Sequence, residues 1–194
     1  MEALDLILQR ASVPARQHED APVSQAALEN LLRAAMTAPD HGLLRPYRFL
    51  VIRGEARERL GEVFAEAARL RDPDMDPALV EKDRQKPLRS PLIIAVVAVL
   101  TPGHPKAPEV EQILTAGMAG YNMVLAAQAM GLGAIWLSGT PAYDGHVLQA
   151  LGIGENETLV GYVYVGQPKR DFRGPRRPDW TDFTREWTAP GETA

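Results

Sequence analysis

Cysteine is missing from this chain, which removes disulfides, thiolate metal sites and cysteine nucleophiles together and fits a reducing compartment. Long apolar runs are missing too. The longest, PLIIAVVAVL at 91–100, falls well short of the roughly 20 residues a membrane-crossing helix needs, and it reads as a buried strand. Basic charge is in deficit: 21 Lys and Arg stand against 25 Asp and Glu, a net charge of −4 with no overall positive field to gather nucleic acid. The opening Met1-Glu2-Ala3-Leu4-Asp5 carries acids where a secretory leader carries bases, so a cytoplasmic protein is expected. His18, His41, His104 and His146 show no HExxH or other paired spacing, and no metal site is expected. Ser138 lacks the leading glycine of a GxSxG nucleophile elbow. Neither GxGxxG nor GxxxxGK[ST] occurs, and the pairs Gly131-x-Gly133 and Gly152-x-Gly154 read as turns.

What is there suits a single domain spanning 1–194, because 194 residues with 45% hydrophobic and 24% charged content bury one ordinary core. Residues 2–10 place Leu4, Ile7 and Leu8 on one helical stripe that stops before Pro14. Ser24 is an N-cap for a second helix whose stripe runs Ala27, Leu28, Leu31, Leu32, Ala35, Met36 and ends by Pro39. A strand at 47–52, a helix at 55–70, a Pro/Asp loop at 71–77, a short helix, and the strand at 91–100 follow. The helix at 109–131 carries apolar residues around most of its circumference and is expected to be buried on nearly every side. A short strand at 133–136, a short helix at 141–151 and a central strand at 158–165 complete the body. This mixed order lacks strict βα alternation and indicates an α+β fold. Residues 166–194 hold Pro168, Pro175, Pro178 and Pro190 beside Lys169, Arg170, Arg173, Arg176 and Arg177, so they form an arm laid on the body or a partner subunit.

Arg10 and Ser12 offer a guanidinium fork and a hydroxyl at a helix–loop junction, a combination suited to phosphate, although on spacing alone a surface arginine beside a helix-stopping serine serves equally. Pro39-Asp40-His41 closes a helix just before a strand and either presents an imidazole to a ligand or forms a solvated turn.

Four segments taken jointly carry a resemblance: Arg10-Ala11-Ser12-Val13, the stretch 38–49 with Pro39-Asp40-His41, the run 131–139 with Trp136 and Ser138, and the stretch 151–166. In order and spacing they resemble the FMN-dependent nitroreductase family, most closely its small YdjA-like branch of minimal NAD(P)H nitroreductases, over nearly the whole chain. The resemblance implies a three-layer α+β sandwich with a mostly antiparallel central sheet, in an intertwined homodimer with FMN in clefts built by both subunits. It puts FMN contacts on Arg10, Ala11 and Ser12, places Thr37 and His41 near the ring, and completes the pocket with Trp136, Leu137 and Ser138. Arg176 and Arg177 are further phosphate candidates. The nicotinamide cofactor falls on Ala126, Ala127, Gln128, Ala129, Met130 and Gly131, although an apolar helix with small residues also suits core or dimer packing.

This sequence departs from the family pattern where Ala11 and Thr37 replace cations and where Arg45 and Tyr47 replace glutamine and tryptophan. Arg45 or Arg48 is expected to restore some of that charge. No catalytic side chain is expected, since hydride chemistry belongs to the flavin. The implied activity is ping-pong reduction of a small electron-poor acceptor, a nitroaromatic or quinone. An enone or haloaromatic acceptor, or a dimeric flavin- or nucleotide-binding protein without turnover, are the alternatives.

Overall fold

The computed structural model describes residues 2–172 and 174–187; Met1, Arg173, Pro190 and the rest of 188–194 lie outside the described residues. Four antiparallel strands, β1 (Tyr47–Arg53), β2 (Leu92–Val99), β3 (Gly133–Leu137) and β4 (Glu157–Gly166), form one sheet in the order β1-β2-β4-β3. The helices are α1 (Ala3–Leu8), α2 (Gln25–Ala35), α3 (Glu55–Arg71), α4 (Pro77–Arg84), α5 (Glu109–Ala129) and α6 (Gly145–Ala150).

The alternating side chains of β2 build a core on each face of the sheet. Leu92, Ile94, Val96 and Ala98 pack with Val163 and Val165 against α2 and α5, whereas Ile93, Ala95 and Val97 pack with Tyr162 and Tyr164 against α3 and α6. Both faces of β2 are therefore dry, which explains the unbroken apolar run that encodes it. Opposite Val96 and Val97 the register slips, since Val96 pairs with Gly161 and Val97 with Leu159, leaving Val160 as the extra residue of a bulge.

Ser24 caps α2 by accepting from the N–H of Ala27, and the helix ends at Ala35, short of Pro39. The apolar stripe of α1, Leu4, Ile7 and Leu8, is exposed. One expectation needs correcting: within one subunit α5 is not buried on nearly every side, since Gln112, Thr115, Ala116, Ala119, Gly120, Met123, Val124 and Ala127 are buried while Val110, Leu114, Met118 and Tyr121 stand exposed on the other side. Apolar residues all round a helix report burial only after every surface that covers it is counted.

The arm docks at its root. Lys169 N–H donates to the Gln17 carbonyl (2.9 Å), Glu19 N–H donates to that of Gln167 (2.7 Å), and His18 bridges to Pro168. Farther on, Trp180, Phe183 and Trp187 are exposed.

Candidate functional site

The chain leaves α1 through residues 10–12 and is pinned to the sheet where the N–H of Val13 donates to the Ala134 carbonyl (3.0 Å). Within this short span the Arg10 guanidinium donates to the Ser12 hydroxyl (3.1 Å), and Arg177 from the arm donates to the Arg10 carbonyl. The Ala11 N–H donates to the carboxamide oxygen of Gln128 (3.0 Å), whose amide reaches the Leu6 carbonyl (3.5 Å). Arg10, Ala11, Gln128, Gly131, Gly174 and Arg177 line a cleft of about 710 Å³. Two guanidinium groups line this one cleft, with the Ser12 hydroxyl bonded to the first of them, a donor set that matches a phosphate monoester. Arg176 is exposed and makes no hydrogen bond among the described residues.

The run from Ala126 to Gly131 divides into separate jobs. Ala127 is core, Gln128 braces the loop at Ala11, Met130 caps α5, and Gly131 turns the chain into β3 with φ 74° while Ala126 is partly buried and Ala129 exposed.

Alternation along β3 sends neighbouring side chains to opposite faces. Trp136 turns toward α5, seated so closely that a Cβ added at Gly120 would lie 2.0 Å from its ring and one at Gly161 would lie 2.4 Å from it. Leu137 and Ser138 instead line a pocket of about 220 Å³ with Lys86, Arg89, Tyr162 and Tyr164. Lys86 is paired with Asp83 (2.6 Å), whereas Arg89 has no ion pair among the described residues. The Tyr162 hydroxyl is buried without a hydrogen-bond partner, and burial pushes the phenols of Tyr162 and Tyr164 above the usual tyrosine range, so both remain protonated. Sequence reasoning missed Lys86 and Arg89. The available signal was the cationic, proline-edged run Lys86-Pro87-Leu88-Arg89 directly before the buried strand.

His41 lies elsewhere, in a groove of about 380 Å³ with Pro39, Asp40, Glu111, Leu114 and Met118. Its Nδ1 is 2.9 Å from the Glu111 carboxylate. Thr37 sits at the end of α2, where its hydroxyl donates to the Ala34 carbonyl (2.8 Å) and accepts from the Asn122 amide (3.2 Å). In one subunit the expected contacts thus fall into three places: Arg10, Ala11 and Ser12 with Gln128, Gly131 and Arg177; Leu137 with Ser138; and His41.

The expected restoration of charge by Arg48 is not what its contacts support. Arg48 clasps Glu157 through two 2.6 Å hydrogen bonds and donates to the Gly152 carbonyl (2.8 Å), holding the Glu157 carboxyl down at about 2. The Arg45 N–H is taken by Asp40 (2.6 Å), and the Arg45 side chain lines none of the three clefts. Lys86 and Arg89 are the cations beside Ser138.

The Nitroreductase family matches residues 7–167. YdjA of Escherichia coli strain K12, named for NAD(P)H nitroreductase activity, is 43% identical over 169 residues, covering 87% of this chain and 90% of that protein. A nitroreductase-like protein from Bacillus cereus superimposes with a TM-score of 0.81 at 24% identity, covering 96% of each chain. One from Desulfovibrio desulfuricans, solved in complex with FMN, superimposes with a TM-score of 0.70 at 28% identity, over 96% of this chain and 97% of that one.

Proposed function

The chain belongs to the nitroreductase family, and from that premise we propose that it is a homodimeric FMN-dependent oxidoreductase that reduces a small electron-poor acceptor, a nitroaromatic or a quinone, at the expense of NAD(P)H. The observation that carries the reading is the donor set beside residues 10–12: the guanidinium groups of Arg10 and Arg177 at one cleft, with the Ser12 hydroxyl bonded to Arg10, chemically matched to a flavin phosphate. When bound, FMN supplies two-electron hydride chemistry between nicotinamide and acceptor.

The protein's own part is to bind, orient and bias. Arg10, Ser12 and Arg177 hold the phosphate, and Gln128 fixes the loop that presents it by occupying the Ala11 N–H. Leu137 and Ser138 complete the ring pocket, with Lys86 and Arg89 adding positive charge there that favours an electron-rich, anionic ligand. Trp136 supports that wall from behind by filling the gap between Gly120 and Gly161. His41 and Thr37 border the ring, and no side chain needs to act as nucleophile.

The dimer is supported by the uncovered apolar surface. Val110, Leu114, Met118 and Tyr121 follow one face of α5, and α1 and the arm add Leu4, Ile7, Leu8, Trp180, Phe183 and Trp187. Apolar exposure on this scale marks an interface, and a second copy is the occupant that the shared-cleft reading requires.

Purified protein should be yellow and bleach on anaerobic addition of NADH or NADPH. Protein that stays colourless after incubation with FMN overturns the reading. Replacing Arg10 with Ala removes a charge-assisted contact worth roughly 1.5–3 kcal/mol, so FMN affinity should fall by about ten- to a hundredfold in a fluorescence titration. Reoxidation by a panel of nitroaromatics, quinones, enones and haloaromatics then identifies the acceptor.

A further inference from the structure

Two histidines lie near the N-terminal end of α5, and their surroundings differ. His104 Nδ1 accepts the backbone N–H groups of Lys106 (3.3 Å) and Ala107 (3.0 Å), so it organises its own turn. His41 instead reaches across to α5, where its Nδ1 lies 2.9 Å from a Glu111 carboxylate oxygen. A carboxylate accepts, so that ring nitrogen carries the hydrogen, and Nε2 is left without a partner among the described residues. The His41 side chain is 55% exposed in the subunit, which leaves Nε2 open to a ligand and to proton exchange with solvent.

The backbone is committed to this presentation. Directly after His41 come Gly42, Leu43 and Arg45 with φ of 78°, 56° and 50°, a conformation that side chains such as Leu and Arg rarely adopt. It is held from three directions: Thr115 donates to the Pro39 carbonyl (3.1 Å), Asp40 accepts from the Arg45 N–H (2.6 Å), and Glu111 secures His41. Strain that is over-determined in this way is characteristic of positions where orientation matters. The titratable neighbours are Glu111 on α5, Asp40 in the same loop, and His104, whose ring approaches Gly42.

We propose that His41, positioned by Glu111, is the proton donor to the acceptor, an inference that rests on the reading of the protein as an FMN-dependent reductase. The electron count demands such a donor. A quinone takes up two electrons and two protons to become a hydroquinone; a hydride brings both electrons and one proton, and the second proton must come from elsewhere. A nitro group becoming nitroso likewise needs, besides the hydride, one proton for the water that leaves. Protonated His41 gives that proton from Nε2, Glu111 balances the imidazolium charge through Nδ1–H, and solvent reprotonates the ring afterwards. Glu111 is a positioning residue, because it acts only through His41.

The test compares wild type, H41Q and E111Q as flavin-loaded proteins, each first bleached anaerobically with NADH and then reoxidised in a stopped-flow instrument. The two oxidants are a benzoquinone, which needs the proton, and ferricyanide, which takes electrons without one. The quinone-to-ferricyanide rate ratio should fall by at least about tenfold in H41Q and by a smaller factor in E111Q, within the 10²–10⁴ range of general acid catalysis. An unchanged ratio in H41Q overturns the proposal, as does an equal slowing with both oxidants. A second readout needs no turnover: long-range ¹H–¹⁵N correlations at alkaline pH should show His41 protonated on Nδ1 in wild type and shifted to Nε2 in E111L, which leaves Nδ1 without an acceptor. The same tautomer in both removes Glu111 from the argument. Failure to bind FMN or to bleach is a different result, which sinks the reductase reading itself.

Discussion

Single side chains settle several questions that a pattern of letters leaves open. Trp136 is the clearest: the strand was legible from Gly133-Ala-Ile-Trp, but the seat prepared by Gly120 and Gly161, one on α5 and the other on β4, was not, because neither lies near it in sequence. G120A should therefore destabilise the protein by about 1–3 kcal/mol despite alanine's better helix propensity, since a methyl group 2.0 Å from an indole forces a shift. Urea unfolding monitored by Trp136 emission checks this, and an unchanged midpoint would contradict the packing. The contact between Arg10 and Ser12 was within reach of the sequence because only Ala11 separates them. Lys86 and Arg89 escaped notice because about fifty residues separate them from Ser138, and only the closure of the sheet makes them neighbours.

At the scale of elements, hydrophobic periodicity located every strand and all the longer helices, since burial writes a period of two or 3.6 into the chain. It misjudged α5 because periodicity does not say which molecule covers a face. The uncovered stripe of Leu114 and Met118 makes its own prediction: in the proposed dimer M118E sets a charge on a covered apolar face and should convert dimer to monomer in light scattering, with far-UV circular dichroism intact. A dimer that survives M118E would assign the second copy to another surface. Ends were less legible than existence. The helix read as running to Pro39 stops at Ala35, and Thr37 and Ala38 continue in hydrogen-bonded turns.

For the molecule as a whole, the order of acid events follows from two carefully enclosed groups. His18 is buried at the root of the arm, its Nδ1 2.8 Å from the Ser90 hydroxyl, which itself donates to the Val165 carbonyl (2.9 Å), and Nε2 has no partner. Desolvation lowers its pKa from the ordinary 6.5 to about 4. The native state thus keeps His18 neutral where the unfolded chain would protonate it, so this contribution is complete above about pH 6.5 and is lost as pH falls to about 4. The two pKa values bound the loss at roughly 3 kcal/mol. Glu157, lowered from 4.5 to about 2 chiefly by the Arg48 hydrogen bonds, adds its loss as pH falls from about 4.5 to about 2. Urea midpoints should accordingly decline between pH 6.5 and 4.5, and H18Q should flatten that decline; an equally steep slope in H18Q would assign it to other groups. The fold class was readable in advance, but this buried histidine was not, because a histidine in sequence carries no mark of what will surround it.

Helical layers seal both broad surfaces of the sheet, and the clefts described are lined mainly by loops, helix residues and the arm outside the two cores. Interior and rim are therefore separable design problems. A protein engineer seeking a different acceptor can exchange Leu137, Ser138 or Arg89 at the rim while leaving untouched the valines and isoleucines of the core.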